Sequence, residues 1–385
     1  MPPVRAGRPQ PLRVVIAPNA FKGSLSARDA ATAMATGVRR VAPDAECVLR
    51  PIADGGDGTL DAFTASGLAA RPVTTRGPTG RPVRAAFVTD GSTCVVELAS
   101  TCGLSLLPDG QPAPMTSTTQ GLGDALLAAL DEGPSRIIVC IGGSASTDGG
   151  TGLLVSLGAR LLDAGGAPVP PGGAWLRRIS EVDLSGLDAR LRGAQVIVAA
   201  DVTSPLHGPE GAAYVFAPQK GATPDQVSDL DAGLRSWGRV LARATGRDIA
   251  SAPGAGAAGG TGAALLATCG ATMAPGAELI ADLVGIDGAI ADADLVLTGE
   301  GSLDAQSVLG KGAVAVAARA RSLGVATLAI CGVVELEDAG LRAAGFDGWG
   351  DCVSRAARPE EAMARAAELV ADATADTVAS WLEPE

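Results

Sequence analysis

One segment constrains the fold more than any other, because residues 136–160 read in order as a strand, a turn of glycines and hydroxyls, and a helix. Ile137, Ile138, Val139 and Ile141 are β-favouring and apolar and run into Gly142 and Gly143; Leu153, Leu154, Leu157 and Leu161 then recur at helical spacing. Backbone N–H groups at a helix N-terminus point outward and carry partial positive charge, so such a turn can hold phosphate or carboxylate without Lys or Arg. Ser144, Ser146 and Thr147 add hydroxyls, and Asp148 adds a carboxylate. A plain βα turn with an Asp cap has the same local pattern, so the rest of the chain must decide between the two.

Composition narrows the class. The 385 residues are 47% hydrophobic and 19% charged, enough for two or three domains and too apolar for disorder. Aromatics are only 3%, which leaves Ala, Val, Leu and Ile to build the cores, and 52 Gly with 25 Pro suit strands and helices alternating over short connections. A formal charge of -12 with no basic patch argues against nucleic acid and anionic membranes as partners.

Seven scattered cysteines, no Cys-x-x-Cys and a single histidine, His207, argue against zinc and a disulfide framework. Residues 1–12 lack the apolar core of a secretory signal, so a cytoplasmic protein is expected. Residues 249–277 carry no charge, but Pro253, Pro275 and the glycines between 254 and 260 exclude a membrane span. They read as a glycine loop followed by a buried helix over about 261–269. The loop matches G-x-G-x-x-G at Gly254, Gly256 and Gly259, yet no hydrophobic strand precedes it, as a dinucleotide fingerprint requires.

Elsewhere strand after strand ends in glycine with an acid or a lysine nearby. Arg13–Ala17 leads to Asn19 and Lys22, and Ser26 with Asp29 caps a helix running to about Ala42. Glu46–Leu49 leads to Asp54 and Asp57 among three glycines, which suits magnesium or a substrate hydroxyl better than phosphate. Residues 71–96 are short strands between Gly-Pro and Asp-Gly turns, the start of a β-rich insertion that leads into Glu97–Ser100. Gln195–Ala200 delivers Asp201; Pro218–Gly221 is a turn presenting Lys220; Ala293–Thr298 ends at Glu300 and Asp304, with Lys311 beyond. Phosphoryl transfer needs backbone donors for phosphates, lysines for developing charge, carboxylates for magnesium and a carboxylate near the accepting hydroxyl. All four kinds are present, without a Walker A or a protein-kinase signature.

These motifs together resemble the bacterial two-domain glycerate kinases, over about 12–332. The matching stretches are Phe21–Ser26, Ala53–Thr59, Gly142–Gly150, Gly208 and Pro209 with Pro218–Gly221, Pro253–Gly260 and Thr298–Asp304. The resemblance implies two α/β domains around a cleft, one a Rossmann-like parallel sheet discontinuous in sequence, the other a mixed-sheet insertion. We set them at 12–70 plus 290–382 and at 71–289, after a disordered extension over 1–11. It further implies ATP-dependent phosphorylation of D-glycerate with Mg2+, most often to 2-phosphoglycerate, by a monomer or homodimer. A 3-phosphoglycerate product or another small hydroxy acid is the alternative.

The chain departs from the family pattern at Asn19, where an Asp is usual, at Leu309, where a His is common, and at Asp124, where an acid motif is shortened. Asn19 keeps open a non-catalytic relative that senses glycerate or nucleotide, and the 254–260 loop keeps open a nicotinamide-dependent oxidoreductase. The expected catalytic set is Asp201, Asp148 and Lys22, with Asp201 or Asp148 at the metal or the glycerate hydroxyl and Lys22 or Lys220 neutralising transferred charge. Asp54, Asp57, Ser100, Lys220, Glu300, Asp304 and Lys311 are expected at the substrate. Gly142, Gly143, Ser144, Ser146, Thr147, Gly149, Gly256, Gly259 and Gly260 are expected at the nucleotide, and Asp201 at the metal.

Overall fold

The computed structural model describes residues 11–21, 23–53, 55–56, 58–304 and 312–383. Its strands are β1 Arg13–Ile16, β2 Glu46–Leu49, β3 Ala69–Arg76, β4 Pro82–Thr89, β5 Thr93–Glu97, β6 Arg136–Cys140, β7 Arg160–Leu162 and β8 Glu181–Asp183. They continue with β9 Gln195–Ala199, β10 Thr272–Ala274, β11 Leu295–Thr298, β12 Ser302–Leu303, β13 Ala326–Cys331, β14 Val333–Val334 and β15 Gly348–Asp351. The helices are α1 Ala27–Val41, α2 Thr59–Ala65, α3 Ala99–Cys102, α4 Gln120–Asp131, α5 Thr151–Ser156, α6 Ala212–Phe216 and α7 Pro224–Thr245. They continue with α8 Ala257–Thr268, α9 Gly276–Leu283, α10 Ile286–Ala291, α11 Ala313–Ser322, α12 Asp338–Ala344, α13 Pro359–Ala364 and α14 Ala366–Leu382.

The described residues fall into two compact units, the first from Met1–Asp54, Asp61–Gly67 and Ala277–Glu385, the second from Gly55–Leu60 and Leu68–Gly276. The sequence-based limits at 71 and 289 differ from these. Nearly all of α9 and the whole of α10 belong with the first unit, where Arg319 of α11 pairs with Asp282 at 2.8 Å and Asp287 at 2.9 Å. Most of the extension expected to be disordered, residues 1–10, lies outside the described residues.

The first unit holds a five-stranded sheet in the order β15-β13-β11-β1-β2, with every pair parallel. Its central strands are buried on both faces, which is why they read as unbroken apolar runs. Successive residues of β13 alternate between two cores, Leu328 and Ile330 packing with Met34, Val38 and Val370, Ala329 and Cys331 with Ala317 and Leu341. Ser26 caps α1 by accepting from the Asp29 N–H at 3.1 Å, and the helix ends at Val41, as its sequence predicts. Gly37 lets α1 approach α14, since a Cβ there would lie 2.3 Å from the Ala371 carbonyl oxygen.

The second unit holds a six-stranded mixed sheet in the order β10-β9-β6-β5-β4-β3. The antiparallel part is β3-β4-β5, the stretch whose turns mark a β-rich insertion, and β5-β6-β9-β10 is parallel. Leu122 and Leu126 of α4 cover Ile137 and Val139 on one face, and α7 buries Trp237 in a second core with Leu154 and Ala264. The helix opened by the 142–150 turn is shorter than the leucine spacing predicts. It stops at Ser156, Gly158 bends the chain at φ +104°, and Leu161 falls in β7 instead. Among the described residues no helix is long and apolar enough to cross a membrane, and all seven cysteines are free.

Candidate active site

Three parallel strands of the second unit end side by side at β5, β6 and β9, delivering Glu97, the Gly142 turn and Asp201 to one edge. The short segment 55–60 is stitched onto that edge. The Gly142 N–H donates to the Gly55 carbonyl at 3.0 Å, and a Cβ on Gly142 would meet the Gly56 Cα at 2.6 Å. Gly55 itself, at φ +89°, sits with a Cβ position 3.0 Å from the Ala199 carbonyl oxygen. Thr59 begins α2, and its N–H donates to the buried Glu97 Oε1 at 2.8 Å. Glu97 is the residue the sequence reading missed. Its signal was available, an acid closing an apolar strand in the manner of Asp201.

The 142–150 turn corrects one expectation directly. The Gly150 and Gly152 N–H groups at the start of α5 are already taken by an internal anion, the carboxylate of Asp148. Its Oδ1 accepts from Gly150 N at 3.1 Å, and its Oδ2 from Gly152 N at 3.0 Å, Thr119 N at 2.9 Å and Thr119 Oγ1 at 2.9 Å. Thr119 Oγ1 in turn receives the Leu153 N–H at 2.9 Å. Asp148 is fully buried and shapes the turn, with every contact pointing into the protein. The hydroxyl-bearing part of the turn lies before it. Ser146 N donates to Ser144 Oγ at 3.2 Å, the two serine hydroxyls are 3.2 Å apart, and Thr147 Oγ1 is buried with no hydrogen-bond partner among the described residues.

Lys220 is also not where its sequence suggests. Instead of being presented to solvent by the Pro218 turn, it is buried with 3% exposure, and its ammonium donates to the Ser146 carbonyl. Burial pushes its pKa down to about 8, against the opposing pull of the Asp148 charge. Gly259 and Gly260 back the same turn. Gly149 N donates to the Gly259 carbonyl at 2.9 Å, while Cβ atoms would lie 2.2 Å from the Ser146 carbonyl oxygen and 2.9 Å from the Gly149 Cα, respectively. With Ala258 they form a left-handed stretch, at φ +51°, +66° and +93°, that only glycine-rich chain tolerates. Gly256 packs on Pro205, whose carbonyl oxygen would be 2.2 Å from a Cβ.

Gly142, Gly143, Ser144, Ser146, Thr147, Asp148, Gly149, Lys220, Gly259 and Gly260 therefore form one connected body. Asp201 is half-buried and accepts from Gly276 N through Oδ1 at 2.9 Å, and Ser100 Oγ donates to the Glu97 carbonyl at 2.9 Å. Glu300 and Asp304 follow β11 in the first unit, the Glu300 carbonyl accepting from Gly332 N at 3.0 Å. Lys22, Asp54, Asp57 and Lys311 lie outside the described residues. Among the described residues no three acids, histidines or cysteines converge as metal ligands. Magnesium commonly takes only one or two carboxylates beside water and phosphate oxygens. Asp201, with only Oδ1 bonded among the described residues, fits that role; Asp148, with both oxygens taken, does not.

A model of the glycerate kinase family matches residues 14–382. The chain is 41% identical over 373 residues to a glycerate kinase of Bacillus subtilis (strain 168), covering 96% of this chain and 97% of the relative. It is 38% identical over 324 residues to a glycerate 2-kinase of Escherichia coli (strain K12), covering 83% and 85%. A crystal structure assigned to glycerate kinase 2 of Salmonella typhimurium LT2 superimposes with a TM-score of 0.84 at 39% identity, over 97% of this chain and 98% of that one.

Proposed function

The chain belongs to the glycerate kinase family, and we propose that it transfers the γ-phosphoryl group of ATP to the 2-hydroxyl of D-glycerate in the presence of Mg2+. The observation that carries this reading is the edge where the Gly142 turn, segment 55–60, Glu97 and Asp201 meet, since it gathers amides, hydroxyls and carboxylates at the ends of parallel strands. The choice of the 2-hydroxyl is supported by similarity to the E. coli glycerate 2-kinase.

In this reading the turn of Gly142, Gly143, Ser144, Ser146 and Thr147 is the wall that takes phosphate oxygens, Gly142 and Gly143 facing outward and the Ser146 and Thr147 side chains buried behind them. Gly149, Gly256, Gly259 and Gly260 keep that turn in shape from behind. Asp148 and Lys220 fix it from within, one through the α5 N-terminus and the other through the Ser146 carbonyl. The charge of the transferred group then falls to Lys22. Asp201 would hold Mg2+, which neutralises phosphate charge when bound. Ser100, on this edge, would serve the glycerate; Asp54 and Asp57, and separately Glu300, Asp304 and Lys311, are each proposed as glycerate-binding residues in their own right. The seven free cysteines support action in the reducing cytoplasm.

The test is ADP release from Mg-ATP with D-glycerate, followed by NMR of the product. Absence of ADP sinks the kinase reading, and phosphorus coupled to the terminal carbon would make the product 3-phosphoglycerate.

A further inference from the structure

The first unit carries a cavity that the roles assigned above leave unused. It has a volume of about 260 Å³ and opens at the carboxyl edge of the parallel sheet. There β1 has β2 on one side and β11 on the other, the reversal of strand order at which ligands of open α/β sheets collect. Asn19 follows β1 and is tied across the reversal, its N–H donating to the Gly299 carbonyl at 2.8 Å. Ala53 follows β2, and α9 and α11 supply the remaining walls through Ala281, Ala315 and Val316. Short apolar side chains leave room for a ring without offering it charge.

The polar groups at the rim are few and specific. The Asn19 Oδ1 accepts from Ala20 N at 2.8 Å, which fixes the amide and leaves Nδ2 as its donor. Glu278 presents a carboxylate from the first turn of α9. The one cation, Arg319, is already paired with Asp282 and Asp287. An acidic rim over apolar walls repels glycerate and phosphate alike, and it suits a neutral heteroaromatic ring bearing an amine. Adenine offers the matching edge, an exocyclic amine to donate to Glu278 and a ring nitrogen to accept from Asn19. Guanine held in the same orientation would set its O6 carbonyl against the carboxylate, and must turn away from Asn19 to offer Glu278 its own donors.

We infer that this cavity of the first unit binds an adenine ring. The inference rests on ATP being the phosphoryl donor, but its test does not need turnover. Adenosine and guanosine, which lack phosphates, are titrated calorimetrically into the wild-type chain, Ala315→Leu, which fills the cavity, and Glu278→Gln at the exposed rim. Adenosine should bind more tightly than guanosine, Ala315→Leu should weaken it about tenfold, and Glu278→Gln should shrink the preference between the two. In steady state Ala315→Leu should raise KM for ATP while KM for glycerate stays within about twofold. Should Ala315→Leu fail to fold, the nucleoside preference of Glu278→Gln carries the test. Adenosine binding that is absent, or equal in all three proteins, overturns the assignment, as does a rise in KM for glycerate alone. A wild-type chain that binds adenosine in this pattern but never releases ADP would defeat the kinase reading and leave the cavity assignment standing.

Discussion

The carboxyl edges of the parallel strands in the two sheets are built on opposite plans. In the second unit the edge is closed by backbone stitching: Gly142 to Gly55, Gly149 to Gly259, Asp148 to the start of α5. Little there can move without breaking a buried hydrogen bond. In the first unit the corresponding edge is open, walled by alanines, with a cavity where the second has packed chain. Rigid, fully bonded loops suit groups that must meet a reacting phosphate at fixed distance, because preorganised dipoles need no rearrangement during the reaction. An open apolar cavity suits recognition of a part that does not react.

If stitching is what the second edge depends on, Asp148→Ala should be the most damaging change. It strands the N–H groups of Gly150 and Gly152 and both donors of Thr119, and should cost about 3–5 kcal/mol, the usual range for breaking a buried charged network. Chemical denaturation reads this directly, and a loss below ~1 kcal/mol would mean that the turn is held by other contacts.

Asp201 lies on the same edge but makes, among the described residues, a single side-chain hydrogen bond, through Oδ1 to Gly276 N. Asp201→Asn should therefore leave the denaturation midpoint nearly unchanged while turnover falls by roughly 100-fold or more. A near-normal rate removes Asp201 from the chemistry. Glu97 separates charge from reach. Glu97→Gln keeps an oxygen within reach of Thr59 N and should stay within a few-fold of wild type, whereas Glu97→Asp keeps the charge, withdraws it by one methylene, and should lower kcat about tenfold. The reverse order of activities would show that Glu97 acts through its charge.

The narrowest test concerns pH. Lys220 has a folded pKa lowered to about 8 from 10.5, so the unfolded chain binds the proton more tightly and stability gains from deprotonation as pH rises from about 8 to 10.5. Lys220→Met should lack that rise relative to wild type in denaturation midpoints measured across this window. Equal slopes would place the lysine in contact with water.

Much of this architecture was legible in residue order. Apolar runs marked β1, β6, β9, β11 and β13, those of β6, β11 and β13 ending at a glycine, and Ser26 marked the start of α1. What stayed hidden depends on partners distant in sequence. Nothing near Asp148 announces that Thr119 will claim its carboxylate, and a Pro-Gln-Lys-Gly turn looks solvated until the Ser146 carbonyl, 74 residues away, is found above the ammonium. The helical spacing carried past Ser156 to Leu161 because the pattern cannot register that Gly158 adopts a positive φ. For the functional residues, spacing found the strand ends, while burial decided which of their side chains face inward.

The six residues Gly55–Leu60 are grouped with the second unit although the chain on both sides of them is grouped with the first. Neither unit can then be cut out as one uninterrupted stretch of gene without loss. A fragment spanning 68–276 would leave Gly142 without its Gly55 acceptor and Glu97 without its Thr59 donor. Any attempt to transplant this edge, shuffle it with a relative or permute the chain must carry that short piece along as a separate cargo.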